Sequence, residues 1–326
     1  MNKIVGFRQF LKSKSSYTDL EKILKENNKH FPSSEEFLTI IALCGDNPLQ
    51  YLSKHNLLNN VELYSYSAWE EKAEKVAHVY HKSCTNLDKI QIIHYSDKPE
   101  GLTYPLELLV NICKVLDYDH LAVSDSDFQL PFSEIRRAYD HHLNVKINDE
   151  SLITYPRRKR RSLDAHDYPI DRRAMEDLEN MYIYLLSDLN ALNDKADFQS
   201  GLSITNRKAH ESFSFTNVGS WIGNLHMAIQ VIHSQGRIDN NLLVDTNVQN
   251  DSTIKFDIQC QKIEQLYKYY LIPLSNICFL ASEHPNLYLM NDWTKNKSKE
   301  DIKHTIYSIL DKYNEYLNID KRIDAI

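Results

Sequence analysis

The fold of this 326-residue chain is decided at residues 120–131, which read HLAVSDSDFQLP. The first five residues form a short, mainly apolar run that is typical of a buried strand in a parallel sheet. Two aspartates follow the run at once, Asp125 and Asp127, and Pro131 then favours the first turn of a helix. The stretch therefore predicts a strand, a short loop that carries two carboxylates, and a helix.

The same alternation of strand and helix precedes that stretch. The predicted elements are strands at 37–43, 61–66 and 89–95 and helices at 68–81 and 104–116. Such alternation indicates βαβ units, and hence an α/β fold with a mostly parallel central sheet flanked by helices. In sheets of this kind, ligands bind beyond the carboxyl ends of the strands, which is where Asp125 and Asp127 are expected.

Helical patterns are also predicted toward both ends of the chain. Residues 1–35 have the spacing of a polar N-terminal helical leader, and residues 256–326 have that of a C-terminal helical extension with one apolar face. An apolar face of this kind predicts docking on the parent domain, which would occupy residues 36–255. Two more helices are predicted within that domain, at 174–192 and 221–234.

Composition narrows the class of protein. The net charge of −7 and the isoelectric point of about 6.1 provide no general attraction to nucleic acid. The five cysteines include no CxxC pair, which favours reduced thiols and a cytoplasmic setting over a disulfide framework. No apolar run has the length of a membrane span. The chain has seven glycines and neither GxGxxG nor GxxxxGK[ST], so metal and side chains would have to hold any nucleotide.

The two aspartates after the strand have a clear electrostatic consequence. At an effective dielectric near 20, two unit charges about 4 Å apart repel by roughly 4 kcal/mol. A divalent cation removes this repulsion, and hard carboxylate and amide oxygens suit Mg²⁺ or Mn²⁺ when phosphate and water complete the coordination. Asp125 and Asp127 therefore indicate a metal site. The alternative, from these residues alone, is a turn in which an aspartate caps the next helix.

Two segments in the correct order resemble a known family. Residues 125–131, DSDFQLP, are similar to the D-[AS]-D-L-Q-x-P segment of family 2 glycosyltransferases related to dolichyl-phosphate mannose synthase. Residues 197–202, DFQSGL, and residues 207–209, RKA, resemble that family's D-x-Q-[ST]-G-[FL] and R-[ER]-A. The resemblance implies a GT-A fold over residues 36–255, with a DxD motif that binds a nucleotide-sugar donor.

The resemblance also implies roles for individual residues. Asp125 would contact the nucleotide or the metal, and Asp127 and Gln129 would complete the protein ligands of Mg²⁺ or Mn²⁺. Asp197 would take the acceptor or catalytic position, as general base for a hydroxyl acceptor. Gln199 would contact the sugar or the diphosphate. The acceptor itself is unknown.

Basic and aromatic residues complete the candidate site. What we interpret as a long loop after residue 155 matches the place where related enzymes keep arginines for phosphate. Its four candidates are Arg157, Arg158, Arg172 and Arg173. The basic run could also be a solvated loop or a patch for anionic lipid head groups, so a peripheral membrane contact stays open. Tyr64 and Tyr66, at the end of a predicted strand, are candidates to stack on the base. We expect His141 and His142 at the surface.

The strands that should read the nucleotide base depart from the family pattern. Residues 42–47, ALCGDN, stand where the first strand usually ends P-x-x-N-E, and residues 64–67, YSYS, stand where the second ends V-D-D-x-S. The sequence is compatible with three functions. The chain could be a hexosyltransferase acting on a small molecule, a glycan or a polyprenyl phosphate. It could be a nucleotidyltransferase of similar architecture, or a non-catalytic GT-A-like binding protein.

Overall fold

The structure is a computed structural model. It describes residues 3–10, 29–30, 37–44, 63–65, 91–96, 103–115, 117–125, 130–146, 148–159, 170–187, 196–246 and 256–323. Over these ranges the strands form one eight-stranded sheet and one two-stranded sheet. The predicted α/β class, with a mostly parallel central sheet flanked by helices, is confirmed.

The large sheet has a mixed topology. The strands are β1 (Lys3–Phe10), β2 (Phe37–Cys44), β3 (Leu63–Ser65), β4 (Gln91–Ser96), β5 (His120–Asp125), β6 (Leu152–Thr154), β7 (Arg157–Lys159), β8 (Leu202–Asn206), β9 (Arg237–Asp239) and β10 (Leu243–Asp245). The spatial order is β3-β4-β2-β1-β5-β8-β6-β9, while β7 pairs with β10. Of the strands in the described ranges, only β8 runs antiparallel to its neighbours, β5 and β6.

The helices fall into two groups. They are α1 (Thr103–Val115), α2 (Phe132–Asn144), α3 (Ile170–Leu186), α4 (Arg207–Ser212), α5 (Gly223–His233), α6 (Phe256–Tyr270), α7 (Leu274–Glu283), α8 (Pro285–Tyr288), α9 (Asn291–Thr294) and α10 (Lys299–Ile323). The helices α1, α2 and α5 pack on the sheet, whereas α6, α7 and α10 pack on α3. Pro131 precedes α2 directly, as predicted. Among the described helices, none combines the length and the apolar character needed to span a bilayer.

The N-terminal segment lies at the centre of the sheet, so the helical leader predicted for residues 1–35 is wrong at β1. This strand pairs in parallel with β2 on one side and with β5 on the other. Lys3 and Arg8 give the segment a polar appearance, which hid the β-branched residues between them. Residues 29–30 are helical, and the rest of the predicted leader lies outside the described residues.

The position of β1 also corrects the comparison with the family's strands. Among the described strands, β1 comes first in the chain and β2 second. Residues 42–44, predicted to end a first strand, lie at the end of β2. Residues 64–65, predicted to end a second strand, lie in β3 at the outer edge of the sheet.

One continuous apolar core joins the sheet-packing helices to the C-terminal helices. Its fully buried members include Leu106 of α1, Met181 of α3, Ile263 of α6, Ile277 of α7 and Ile309 of α10. Burial of apolar surface stabilises the folded state by roughly 25 cal/mol per Å². Because the core is shared, its burial stabilises the sheet and the packing of α6, α7 and α10 together. The domain boundaries after residues 35 and 255 stay predictions.

Three of the described histidines are buried, namely His142, His210 and His226, and the burial of His142 contradicts the surface position predicted for it. His142 is 2% exposed, and its Nδ1 lies 2.8 Å from Thr154 Oγ1. Neighbouring positions on a helix point in different directions, so His141 remains partly exposed while His142 faces β6. Burial, reinforced by His120 and His141, lowers the pKa of His142 to about 3. Burial also lowers the pKa of His210 to about 4.

The acid sensitivity of the fold is expected to depend on His142, His210 and His226, because burial lowers the pKa of each of them. An unfolded chain binds these protons near pH 6.5, well before the folded chain does. The contribution that the neutral, buried imidazoles make to the free energy of unfolding is complete above about pH 6.5 and is lost progressively as the pH falls below that value. At 1.36 kcal/mol per pH unit, His142 and His210 should each cost about 1.4 kcal/mol between about pH 7.5 and about pH 5.5. We expect His142→Gln to remove its own share of this loss, about 1.4 kcal/mol, in urea unfolding.

The exposed His233 of α5 provides the matched control. His233→Gln should leave the dependence of the unfolding free energy on pH as it is in the unchanged chain. A His142→Gln protein with the full original loss on acidification would contradict the assignment of that loss to buried imidazoles.

Candidate functional site

The carboxyl edge of the sheet brings together the two segments on which the resemblance rests. Asp125 is the last residue of β5. Ser124, just before it, pairs with Leu202, the first residue of β8. Because β8 runs antiparallel to β5, the residues that lead into β8 lie where β5 ends. The segment 197–201 and Asp125 therefore occupy one edge, although they are far apart in sequence.

The residues predicted to hold metal and nucleotide are placed only in part. The position of Asp125 at the strand end suits a ligand of a metal or a diphosphate. Asp127, Gln129 and Tyr66 lie outside the described residues. Tyr64 is in β3, and three strands separate β3 from β5. In the part of the chain that is described, no three His, Cys, Asp or Glu side chains form a metal-binding group.

The four candidate arginines are not in one long loop, so that prediction is wrong. Arg157 and Arg158 belong to β7, which pairs with β10. Arg172 and Arg173 lie in the first turn of α3. A three-residue strand such as β7 is too short to give a periodic signal, and its partner is far along the chain. The structure thus gives the arginines fixed positions on two separate elements.

A buried network of charges surrounds Asp197. Arg158 donates from Nε to Asp197 Oδ2 at 2.7 Å and from a terminal nitrogen to Asp197 Oδ1 at 2.9 Å. The same guanidinium donates to Glu176 Oε2 at 2.9 Å. Arg172 Nε donates to the other oxygen of Glu176 at 3.3 Å. The network therefore alternates in charge, from Asp197 through Arg158 and Glu176 to Arg172, and it ties β7 to α3.

The geometry of Asp197 bears on its predicted role. A general base must lie within hydrogen-bond reach of the proton that it removes. The side chain of Asp197 is 1% exposed, and both of its oxygens accept from Arg158. Such bidentate pairing fixes a carboxylate firmly in place. In this arrangement Asp197 holds Arg158 in place, and its role as general base stays a prediction.

A second buried ion pair reaches the same segment from the C-terminal helices, and sequence reasoning missed it. Lys262 of α6 donates to Glu179 Oε2 of α3 at 3.0 Å and to Gln199 Oε1 at 2.8 Å. Burial raises the pKa of the Glu179 carboxyl, and Lys262 opposes that effect. The available signal was a lysine on the apolar stripe of a predicted helix, beside Ile263 and four residues before Leu266.

The turn that carries Gln199 has a specific backbone requirement. Gly201 has φ 76°, in the left-handed region that favours glycine. The Ser200 hydroxyl donates to Leu202 O at 3.0 Å, and Ser200 N donates to Asp197 O at 3.2 Å. Gly201 therefore lets the chain make the tight turn that leads from Gln199 into β8, which begins at Leu202.

Comparisons with known proteins find distant likenesses among solved structures. No protein-family profile and no curated protein matches the chain. A mannosyltransferase of Pyrobaculum calidifontis, solved in complex with GDP-Man and Mn²⁺, is 10% identical, with a TM-score of 0.46 over 100% of this chain and 81% of that one. A Desulfovibrio desulfuricans protein, provisionally described as a nucleotide-diphospho-sugar transferase, is 9% identical, with a TM-score of 0.35 over 97% and 99%. Both TM-scores are below 0.5, so neither likeness assigns the chain to a family or an activity.

Proposed function

We propose that the chain is a glycosyltransferase of the GT-A type, which transfers a hexose from a nucleoside-diphosphate sugar to an acceptor. One observation carries the proposal: Asp125 and the segment 197–201 meet at the carboxyl edge of the sheet. In α/β sheets this edge is where ligands bind. Asp125 begins one segment that resembles family 2 glycosyltransferases and residues 197–201 belong to the other, so their common edge is consistent with a shared donor site.

The divalent cation would be bound by Asp125, Asp127 and Gln129. All three supply hard oxygen ligands, which suit Mg²⁺ or Mn²⁺. The position of Asp125 fits this role because the chain leaves the sheet there, at the ligand-binding edge. When bound, the cation would stabilise the negative charge of the departing diphosphate as a Lewis acid.

The chain's own side chains would bind and orient the substrates. Gln199 would donate to an oxygen of the donor, and Asp197 would hold Arg158 at the edge of the site. In this proposal Asp197 holds Arg158 and does not act as general base. Without a general base, an acceptor that is already an anion is favoured. A phosphate-bearing acceptor, such as a polyprenyl phosphate, needs no base to remove a proton.

Donor binding is expected to raise the thermal stability of the protein in a metal-dependent way. A ligand at about a hundred times its dissociation constant adds about 2.7 kcal/mol. The measurement is a thermal shift with UDP-glucose, UDP-N-acetylglucosamine, GDP-mannose and their nucleoside diphosphates, with and without Mn²⁺. We expect at least one donor to stabilise the protein only when Mn²⁺ is present. The shift should disappear in Asp125→Ala and in Asp127→Ala.

The control and the alternatives use the same assay. Asp311→Ala, at an exposed position of α10, should keep the full shift. A nucleotidyltransferase would instead respond to nucleoside triphosphates and release pyrophosphate. If no nucleotide stabilises the protein, with or without Mn²⁺, the transferase proposal is wrong and the non-catalytic binding protein is favoured.

A further inference from the structure

We propose that Lys262 is a positioning residue, which fixes the side-chain amide of Gln199 so that its NH₂ group is held for an oxygen of the bound donor. The identity of the ligand rests on the proposed function. The fixed orientation of the amide does not, because it follows from contacts within the chain. The two parts can therefore be tested separately.

The orientation of the amide follows from the chemistry of the two side chains. A lysine ammonium group carries three donors and no acceptor, whereas a glutamine amide has an acceptor at one end and two donors at the other. The Nζ of Lys262 lies 2.8 Å from Gln199 Oε1. If the amide turned over, its NH₂ group would face the ammonium, and two donors would oppose each other. Lys262 therefore selects one of the two amide orientations.

The ammonium group is itself held rigidly. Lys262 is 2% exposed, and Glu179, its carboxylate partner, is fully buried. Their ion pair spans α6 and α3, with Nζ 3.0 Å from Glu179 Oε2. A buried charged group is tolerated when it is paired in this way. Glu179 thus holds the ammonium group of Lys262, and Lys262 in turn holds Gln199 Oε1.

The NH₂ end of the Gln199 amide has no hydrogen-bond partner among the described residues. Its nitrogen, Nε2, is buried. A buried donor without an acceptor is unfavourable, and native structures usually satisfy such a group with protein, water or ligand. Gln199 lies between Asp197 and Gly201, at the edge where β5 ends in Asp125. The ligand class that fits is an oxygen-rich anion, as in the diphosphate of a nucleotide sugar.

The first test follows the amide without any ligand. Selective ¹⁵N labelling of glutamine places the Gln199 NH₂ group in the NMR spectrum, and Gln199→Ala assigns its peaks. A fixed amide should give two separate proton signals that exchange slowly. In the double variant Glu179→Met with Lys262→Met, both signals should broaden or exchange faster. Replacing both partners of a buried ion pair with apolar residues often leaves the fold stable.

The second test measures donor affinity by a double-mutant cycle. The probe is the nucleotide sugar that stabilises the unchanged protein most strongly, with Mn²⁺. We expect the Glu179→Met, Lys262→Met pair to weaken binding about tenfold to a hundredfold, as for loss of one hydrogen bond to a charged group. In a Gln199→Ala background the same pair should cause no further weakening, because Lys262 acts through Gln199. Lys268→Met, at an exposed position of α6, should bind as tightly as the unchanged protein.

The outcomes distinguish the positioning of Gln199 by Lys262 from the assignment of the donor as its ligand. Unchanged Gln199 signals in the double variant would overturn the proposal outright. Equal weakening with and without Gln199 would also overturn it, since a general structural effect does not depend on that side chain. If no donor binds the unchanged protein but the amide signals respond as expected, the proposed function fails. Positioning by Lys262 would then stand, while the assignment of the donor as its ligand would fall.

Discussion

Replacing Arg158 with methionine is expected to lower the free energy of unfolding by about 3–5 kcal/mol. Methionine keeps much of the apolar stem but removes the guanidinium. Asp197 and Glu176, with side chains 1% and 5% exposed, would then lose the cation that bridges them. Removing one member of a buried ion pair leaves an uncompensated charge, which is the costly case. Urea unfolding followed by circular dichroism measures the loss.

A half-exposed ion pair of the same chemistry provides the control. Arg136 and Asp140 pair across one turn of α2, with side chains 34% and 48% exposed. Such pairs contribute about 0.3–0.5 kcal/mol, so Arg136→Met should be nearly neutral. If Arg158→Met were no more destabilising than Arg136→Met, the buried network around Asp197 would not exist in solution.

The same network separates two roles for Asp197. Asparagine cannot accept the bidentate pair from Arg158, so Asp197→Asn should lower both the unfolding free energy and the rate of transfer. A general base would give a different result, because loss of the proton acceptor lowers the rate while the fold stays intact. Stability and activity therefore need to be measured on the same preparation.

The part of the fold that sequence predicts best is the part set by local signals. An apolar run, two aspartates and Pro131 define β5, the start of its loop and the start of α2, and the structure places β5 and α2 as expected. The central strand β1 escapes the same reasoning. Its charged residues, Lys3 and Arg8, mask the pattern, and its strand character depends on pairing with β2 and β5. Such pairing is a long-range property that no short window of sequence contains.

The same distinction between local signals and long-range contacts applies to the candidate site. The family resemblance pointed to Asp197 and Gln199, and the antiparallel pairing of β8 explains why they lie near Asp125. Their partners, Arg158 and Lys262, were not predictable as partners. Arg158 reaches Asp197 through β7, a strand of three residues, and Lys262 reaches Gln199 from a helix beyond residue 255. In both cases tertiary contact, not spacing, brings the charges together.

Replacing Trp293 with alanine is expected to destabilise the fold by about 5 kcal/mol. Trp293 is fully buried in the core that joins α3 to the C-terminal helices, and loss of such a side chain costs about 3–5 kcal/mol. Its Nε1 also donates to Asp177 Oδ2 at 2.7 Å. Asp177 is buried, so losing this donor adds a further penalty. Urea unfolding followed by far-ultraviolet circular dichroism measures the change.

Two further variants separate the contributions and test how far the core extends. Trp293→Phe keeps most of the volume but loses the N–H donor, so it should cost about 1–3 kcal/mol. Trp221→Phe, at a partly exposed position, should cost less. Because the core runs without a break from α1 to α10, Trp293→Ala should shift one cooperative transition of the whole chain. A separate early transition of the C-terminal helices, with the remainder unaffected, would show that α6 to α10 fold as an independent unit. In that case Lys262 could leave Gln199 without the sheet unfolding, and the carboxyl edge would lose the contact that orients its amide.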